Sequence, residues 1–182
     1  MKVVNLFAAP GTGKSTTGQI LAGLLSIAQY RVEFVPEFAK FATFANNQAA
    51  LGDPTYMMAK QSNRLHVLRN QPLDFVVMDG PLPTVLLYTP DDYYRHHEPL
   101  VMEIFNSYEN VNFLLESNPD IPYQTHGRSQ NKAQSAELAL KLEGLLERHL
   151  VPVQRELVKP QLAMTLFAAL TGHRAPSIEL FE

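Results

Sequence analysis

The stretch NLFAAPGTGKST, residues 5–16, joins an apolar run to a glycine-containing turn and a polar helix start. From Ala8 to Ser15 it follows the phosphate-loop pattern G-x-x-x-x-G-K-[ST], with alanine in the first slot. Gly11 and Gly13 let backbone N–H groups turn inward around a phosphate without a Cβ in the way. A helix opening at Lys14-Ser15-Thr16 would add its partial positive charge. The expected cradle is therefore Ala9, Pro10, Gly11, Thr12, Gly13, Lys14, Ser15 and Thr16. Within it Lys14 is expected to neutralise β- and γ-phosphate oxygens of ATP, and the Ser15 hydroxyl to ligate Mg²⁺. Ala8 falls at the strand exit, where a small side chain is tolerated provided its φ is negative.

Working outward, strand-length apolar runs alternate with helical patterns, which predicts a parallel sheet flanked by helices. Strands are expected over residues 2–7, 31–35, 73–78, 111–115 and 151–157. Residues 15–28 read as a helix with an apolar face of Ile20, Leu21, Leu24, Leu25 and Ala28. Residues 37–50 read as one helix, 55–70 as another with Met58, Leu65 and Leu68 toward the core. Shorter helices are expected over 83–88 and 99–108, a long one over 132–149 and a last one over 161–170. The fold class is thus α/β, a three-layer arrangement with a five-stranded parallel sheet and a polar lid loop over about 117–131. No repeat or linker interrupts the chain, so a single domain over 1–182 is expected.

Composition narrows the classes. An apolar fraction of 46% with 18% charged residues is that of a globular protein. The absence of cysteine removes disulfides, thiolate metal sites and cysteine nucleophiles, and suits a reducing cytoplasm. No apolar run approaches a membrane span, and the apolar start reads as a strand rather than a targeting segment. A net charge of −3 gives no overall basic field for nucleic acid, although a local basic groove stays open.

Several residues are candidates for the remaining chemistry. Asp79 ends the third apolar run, where a carboxylate faces the ligand crevice and can hold Mg²⁺; an Asp-Gly turn is the plainer alternative. Glu37, just past the second strand, can accept the proton of an attacking hydroxyl, or else serve as an acid at a helix start. Beside it Phe38 borders the expected acceptor pocket, with Gln61 and Arg64 on one face of the following helix. Gln61 could read a base edge and Arg64 an acceptor phosphate, against the commoner role of such residues on a solvated face. Arg128, in Gly127-Arg128-Ser129-Gln130, is placed to close over a transferring phosphoryl group. His96-His97 reads as a surface or helix-start pair rather than a metal site. No Asn-Lys-x-Asp guanine signature follows the fourth strand, and the chain is short for a motor ATPase with its own helical lid domain.

Four motifs together carry a resemblance: Asn5-Leu6-Phe7, Glu37-Phe38-Ala39-Lys40, Asp79-Gly80-Pro81 and Gly127-Arg128-Ser129-Gln130. They resemble the small bacteriophage-encoded P-loop proteins, AAA-like ATPases and kinases, over roughly the first 150 residues. Val35-Pro36-Glu37-Phe38 is more distantly similar to the Val-Pro-Glu-Pro of deoxynucleoside kinases, where that glutamate is the general base. Asp79-Gly80-Pro81 departs from their acid-Arg-Ser. Some phage members are implicated in phosphorylating 5-hydroxymethyluracil in DNA, which implies base extrusion and a contact surface such as Lys60, Arg64 and Arg69.

The resemblance implies a Mg²⁺-dependent kinase using ATP, with a nucleoside, nucleotide or modified DNA nucleotide as acceptor, working in the cytoplasm of a host if phage-encoded. A stand-alone ATP-binding or ATPase regulatory module is the competing expectation.

Overall fold

Six residues from Lys2 to Phe7 form β1, and all but the first are buried. Such a continuous apolar run suits a strand covered on both faces. The structure is a computed structural model; it describes residues 1–120 and 131–177, with the backbone alone for Lys132. The lid motif with Arg128 lies outside the described residues. Among the described residues β2 (Val32–Val35), β3 (Phe75–Met78), β4 (Glu109–Glu116) and β5 (Gln154–Leu157) join β1 in one sheet of order β2-β3-β1-β4-β5. Every pairing is parallel. β1 is central, and the chain passes to one side of it for β2 and β3 and to the other for β4 and β5.

Helices cover both faces. Side chains alternate across β1, so Val4, Leu6 and Ala8 face one layer and Val3, Asn5 and Phe7 the other. On the first face α1 (Lys14–Ile27) and α7 (Leu162–Thr171) close a core of Leu21, Leu24, Leu25, Leu162, Leu166 and Phe167. Ile20, expected on the buried face, is instead exposed; Thr17 and Gly18 take its place against the sheet. A Cβ on Gly18 would come within 2.9 Å of the Phe34 ring, so the helix approaches more closely than an isoleucine there allows. The second face carries α4 (Pro54–His66), α5 (His97–Asn106), α6 (Lys132–Arg148) and a 3-10 helix, Leu82–Tyr88.

The single helix expected over 37–50 is two: α2 (Phe38–Phe44) and α3 (Gln48–Leu51). Asn46 takes a left-handed φ of 50°, which asparagine tolerates better than most residues. Asn47 then caps α3 by accepting from the Ala50 N–H. The helix expected from 55 begins one residue earlier, because Asp53 caps it through the Tyr56 N–H with Pro54 at its first position. Residues 151–153 precede β5 rather than belong to it; there the Pro152 carbonyl accepts from the Asn112 side chain. Among the described residues no helix is long and apolar enough to cross a membrane.

One amide network runs through the second face. Asn5 donates to the side-chain oxygens of Asn110 and Asn112, each at 2.9 Å, between the apolar clusters around Val3 and Phe7. At the opposite edge Asp74 accepts from the Arg31 backbone and from two guanidinium nitrogens, at 2.7 and 3.1 Å, tying the start of β2 to the start of β3. These bonds to Arg31 pull the Asp74 carboxyl down to about 2. A carboxyl lowered by folding stabilises above the ordinary carboxylate range and loses that contribution as pH falls through its folded value. Asp74→Asn is therefore expected to lower the melting temperature at neutral pH. The gap from the parent protein should close as the pH drops from about 4 to about 2, followed by thermal melts across that range.

Candidate functional site

Three adjacent strands, β2, β3 and β1, end side by side, and each hands one charged residue to the crevice beyond. β1 runs into the loop and Lys14, β2 into Pro36 and Glu37, and β3 into Asp79. The Lys14 ammonium lies 3.1 Å from Glu37 Oε2 and 3.6 Å from Asp79 Oδ1. The first distance is a charge-assisted hydrogen bond; the second is an ion pair too long to be one. Asp79 is almost fully buried, at 2% exposure, and Oδ1 has no hydrogen-bond partner among the described residues. Burial works against the Lys14 charge, but Glu37 and Asp79 outweigh it and hold the ammonium above the ordinary lysine range. Lys14 stays protonated between the two carboxyl groups.

The loop itself has the geometry its sequence implies. Gly11 and Gly13 have φ of 92° and 94°, values that side-chain-bearing residues rarely adopt. Ala8 is not among the positive-φ residues; its methyl group packs into the core with Leu6 and Leu21. The alanine thus sits before the part of the loop that needs glycine. Thr12 tightens the turn by donating its hydroxyl to the Ala9 carbonyl at 2.8 Å. Ser135, from α6, donates to the Pro10 carbonyl at 2.5 Å and anchors the loop to that helix. Among the described residues the backbone N–H groups of Gly13, Lys14, Ser15 and Thr16 bond to nothing, as expected for a first helical turn. Ser15 is half-buried and Thr16 exposed.

Glu37 occupies the N-cap position of α2, yet its side chain makes no capping bond. It reaches across to Lys14 instead, which separates it from an ordinary helix-start acid. On its outer side the Phe38 N–H donates to Gln61 Oε1 at 2.9 Å, and Arg64 Nη1 donates to the Pro36 carbonyl at 2.8 Å. Gln61 is buried, and its Nε2 has no partner among the described residues. The Arg64 guanidinium also lies over the rings of Phe38 and Phe41, at 5.3 and 5.0 Å. Lys60 lies over Tyr56. Arg69 is remote from this crevice side, donating to the Ser107 carbonyl and hydroxyl.

The histidine pair stands at the start of α5. His96 is the N-cap residue, and His97 is buried edge-on to Tyr93 with ring centres 5.0 Å apart. Burial, against Asp53 and Glu98, pushes the His97 imidazole below the ordinary histidine range. No group of three or more His, Asp or Glu side chains gathers as a metal cage among the described residues. Magnesium bound with a phosphate chain needs no such cage; one or two oxygen ligands and water suffice. The unpartnered Asp79 Oδ1 and the Ser15 hydroxyl fit that donor set.

A parallel sheet with helices on both faces and a glycine loop entering α1 makes this a P-loop kinase-like fold. Residues 3–157 match the AAA domain family AAA_28, and the chain belongs to that family. No curated protein sequence matches it. Among solved structures it is similar to deoxyadenosine kinase from M. mycoides with bound dATP. The TM-score there is 0.53 at 14% identity, over 95% of this chain and 100% of that one. Shikimate kinase from Bacteroides thetaiotaomicron aligns with TM-score 0.49 at 16% identity, over 93% and 96% of the two chains. Kti12 from Chaetomium thermophilum, in complex with ADP-AlF3, aligns at 0.49 and 12% identity, over 96% and 100%.

Gly80 owes its glycine to contact rather than to φ, which is not positive. A Cβ there would lie 3.0 Å from Glu37 Cγ and 3.3 Å from Gln61 Nε2. Gly80→Ala should therefore push the Glu37 stem aside and cost on the order of 1 kcal/mol. Urea denaturation should show a smaller loss when the same change is made together with Glu37→Ala, because the closest contact is then gone.

Proposed function

We propose that the chain is a kinase that moves the γ-phosphoryl group of ATP to a hydroxyl of a nucleoside, a nucleotide or a modified nucleotide in DNA. A base such as 5-hydroxymethyluracil is one such acceptor, and an acceptor phosphate is the variant of the same chemistry. The observation that carries this reading is Glu37 turned away from its own helix and onto Lys14. A module that only binds nucleotide has no need of a second carboxylate there, whereas transfer to a hydroxyl needs a group to take its proton. The fold is shared with a deoxyadenosine kinase whose structure holds dATP, which fits a nucleotide-binding crevice.

In this reading the N–H groups from Ala9 to Thr16, with no Pro10 donor, wrap the phosphates, and Lys14 moves its charge from Glu37 to their oxygens. Ser15 and Asp79 hold Mg²⁺, which when bound supplies charge neutralisation on the phosphate oxygens. Glu37, relieved of its ammonium partner, accepts the proton of the acceptor hydroxyl as the new oxygen–phosphorus bond forms. The bond from γ-phosphorus to the β-bridging oxygen breaks, and ADP leaves with that electron pair. Phe38 borders the acceptor, with Gln61 and Arg64 behind it. Arg128 completes the reading as the residue that covers the transferring group. The working place is the cytoplasm.

The test is ADP release from Mg·ATP, alone and with a panel of nucleosides, nucleotides and hydroxymethylated DNA. Acceptor-dependent release supports the kinase; release that no acceptor stimulates supports a regulatory ATPase and removes this reading. Lys14→Ala should weaken ATP binding and drop turnover at least about a hundredfold, the scale of losing a main phosphate contact. Glu37→Gln should depress turnover by about 10²–10⁴ with ATP affinity kept or improved. Unchanged turnover in Glu37→Gln would remove it as the proton acceptor.

A further inference from the structure

A helix that begins at Phe38 leaves its first N–H groups without intrahelical partners, and the N-cap side chain ordinarily takes one of them. Glu37 holds that position but does not do so. Gln61 takes the Phe38 N–H from the neighbouring helix α4, at 2.9 Å. One turn further along α4, Arg64 takes the carbonyl on the other side of Glu37, that of Pro36, at 2.8 Å. The two side chains are three residues apart and so rise from the same face of α4. They grip the peptide units immediately before and after Glu37. Gly80 supplies the clearance beneath, since a Cβ there would meet the Glu37 stem at 3.0 Å.

Each grip is itself fixed. Gln61 is buried, and its Oε1 accepts in a partly buried contact, where loss of the acceptor would leave an amide unsatisfied. Arg64 lies over Phe38 and Phe41, so its guanidinium plane is held as well as its hydrogen bond. Glu37 therefore projects from a backbone pinned on both sides while its carboxylate remains available to the crevice.

We propose that Gln61 and Arg64 are positioning residues that aim Glu37, by clamping its two flanking peptide groups to α4. The proposal rests on the reading of Glu37 as the proton acceptor, and assigns the pair a role through Glu37 rather than through the substrate.

A double-mutant cycle tests it. Gln61→Met and Arg64→Met keep unbranched stems of similar length but remove the two bonds; Arg64→Lys keeps a donor and serves if the methionine variant does not fold. ADP release from Mg·ATP is measured with the acceptor that stimulates it, or with water where none does, alongside ATP affinity by calorimetry. Each methionine variant should lower kcat by about 10–100-fold, the scale of a misplacement near 1 Å. ATP affinity should change less than about threefold, and Arg64→Lys should recover part of the loss. In a Glu37→Gln background the same substitutions should change turnover less than about twofold, because the group they aim is already gone. Losses that multiply with Glu37→Gln would mean that Gln61 or Arg64 acts on the substrate directly and would overturn the proposal. Unchanged kcat in the single variants would do the same. If instead Glu37→Gln alone leaves turnover intact, the reading of Glu37 fails while the clamp's geometry is untouched.

Discussion

One lysine ammonium between two carboxylates is the constraint on which this crevice depends. Lys14, Glu37 and Asp79 come from three different strand ends, so the contact among them exists only if β2, β3 and β1 are neighbours in that order. The arrangement sets two carboxyl groups against one ammonium and places one of the two, Asp79, in a nearly dry position. Taking a carboxylate from water without full compensation is costly, and a single ammonium at 3.6 Å compensates Asp79 only in part. The oxygen facing that ammonium, Oδ1, has no hydrogen-bond donor among the described residues and is therefore a standing demand for a cation or a donor. The first turn of α1 presents the complementary demand, a set of N–H groups facing outward without acceptors. Anionic phosphate with its cation satisfies both together.

Much of this was readable because it is local. The strand-loop-helix of residues 2–27, the apolar strand of residues 75–78 and the acid after it are contiguous patterns, and the structure puts them where the patterns imply. Glu37 was legible as a candidate from its place after β2, but a helix-start acid has the same sequence. Only the direction of its side chain separates the two, and that direction depends on Lys14, 23 residues away in the chain. Helical spacing marks Gln61 and Arg64 as one face of a helix, but it does not announce their partners at Phe38 and Pro36. The Ser135 bond to Pro10 spans 125 residues and the Asn5 bond to Asn112 spans 107, with no periodicity to announce either. The split between α2 and α3 turned on one asparagine in a left-handed conformation, inside a stretch whose alanines and phenylalanines read as continuous helix.

The two sides of the crevice are built differently. One side, proposed to hold the donor, is made of strand ends and the helix α1, whose Leu21, Leu24 and Leu25 are buried against the sheet. The other side, proposed to face the acceptor, is α2, in which Ala42 is the buried residue and Phe41 and Phe44 are exposed. Seven residues with so little apolar burial cannot be stable as an isolated helix. What secures α2 is the polar and aromatic contact with α4: the Gln61 and Arg64 bonds, the guanidinium over two rings, and Phe38 edge-on to Tyr56.

This division bears on the alanine in the first loop slot. Ala8 faces the core beneath α1, where its methyl group fills space rather than meeting a phosphate. A change there adjusts how the donor side packs, and the glycines that shape the cradle are untouched. Changes on α2 and α4 act elsewhere: they alter where Glu37 points and what stands beside it, with the strand ends left in place. In the proposed kinase, donor chemistry is then a property of the strand ends and α1, and acceptor choice a property of how α4 grips the chain on either side of Glu37.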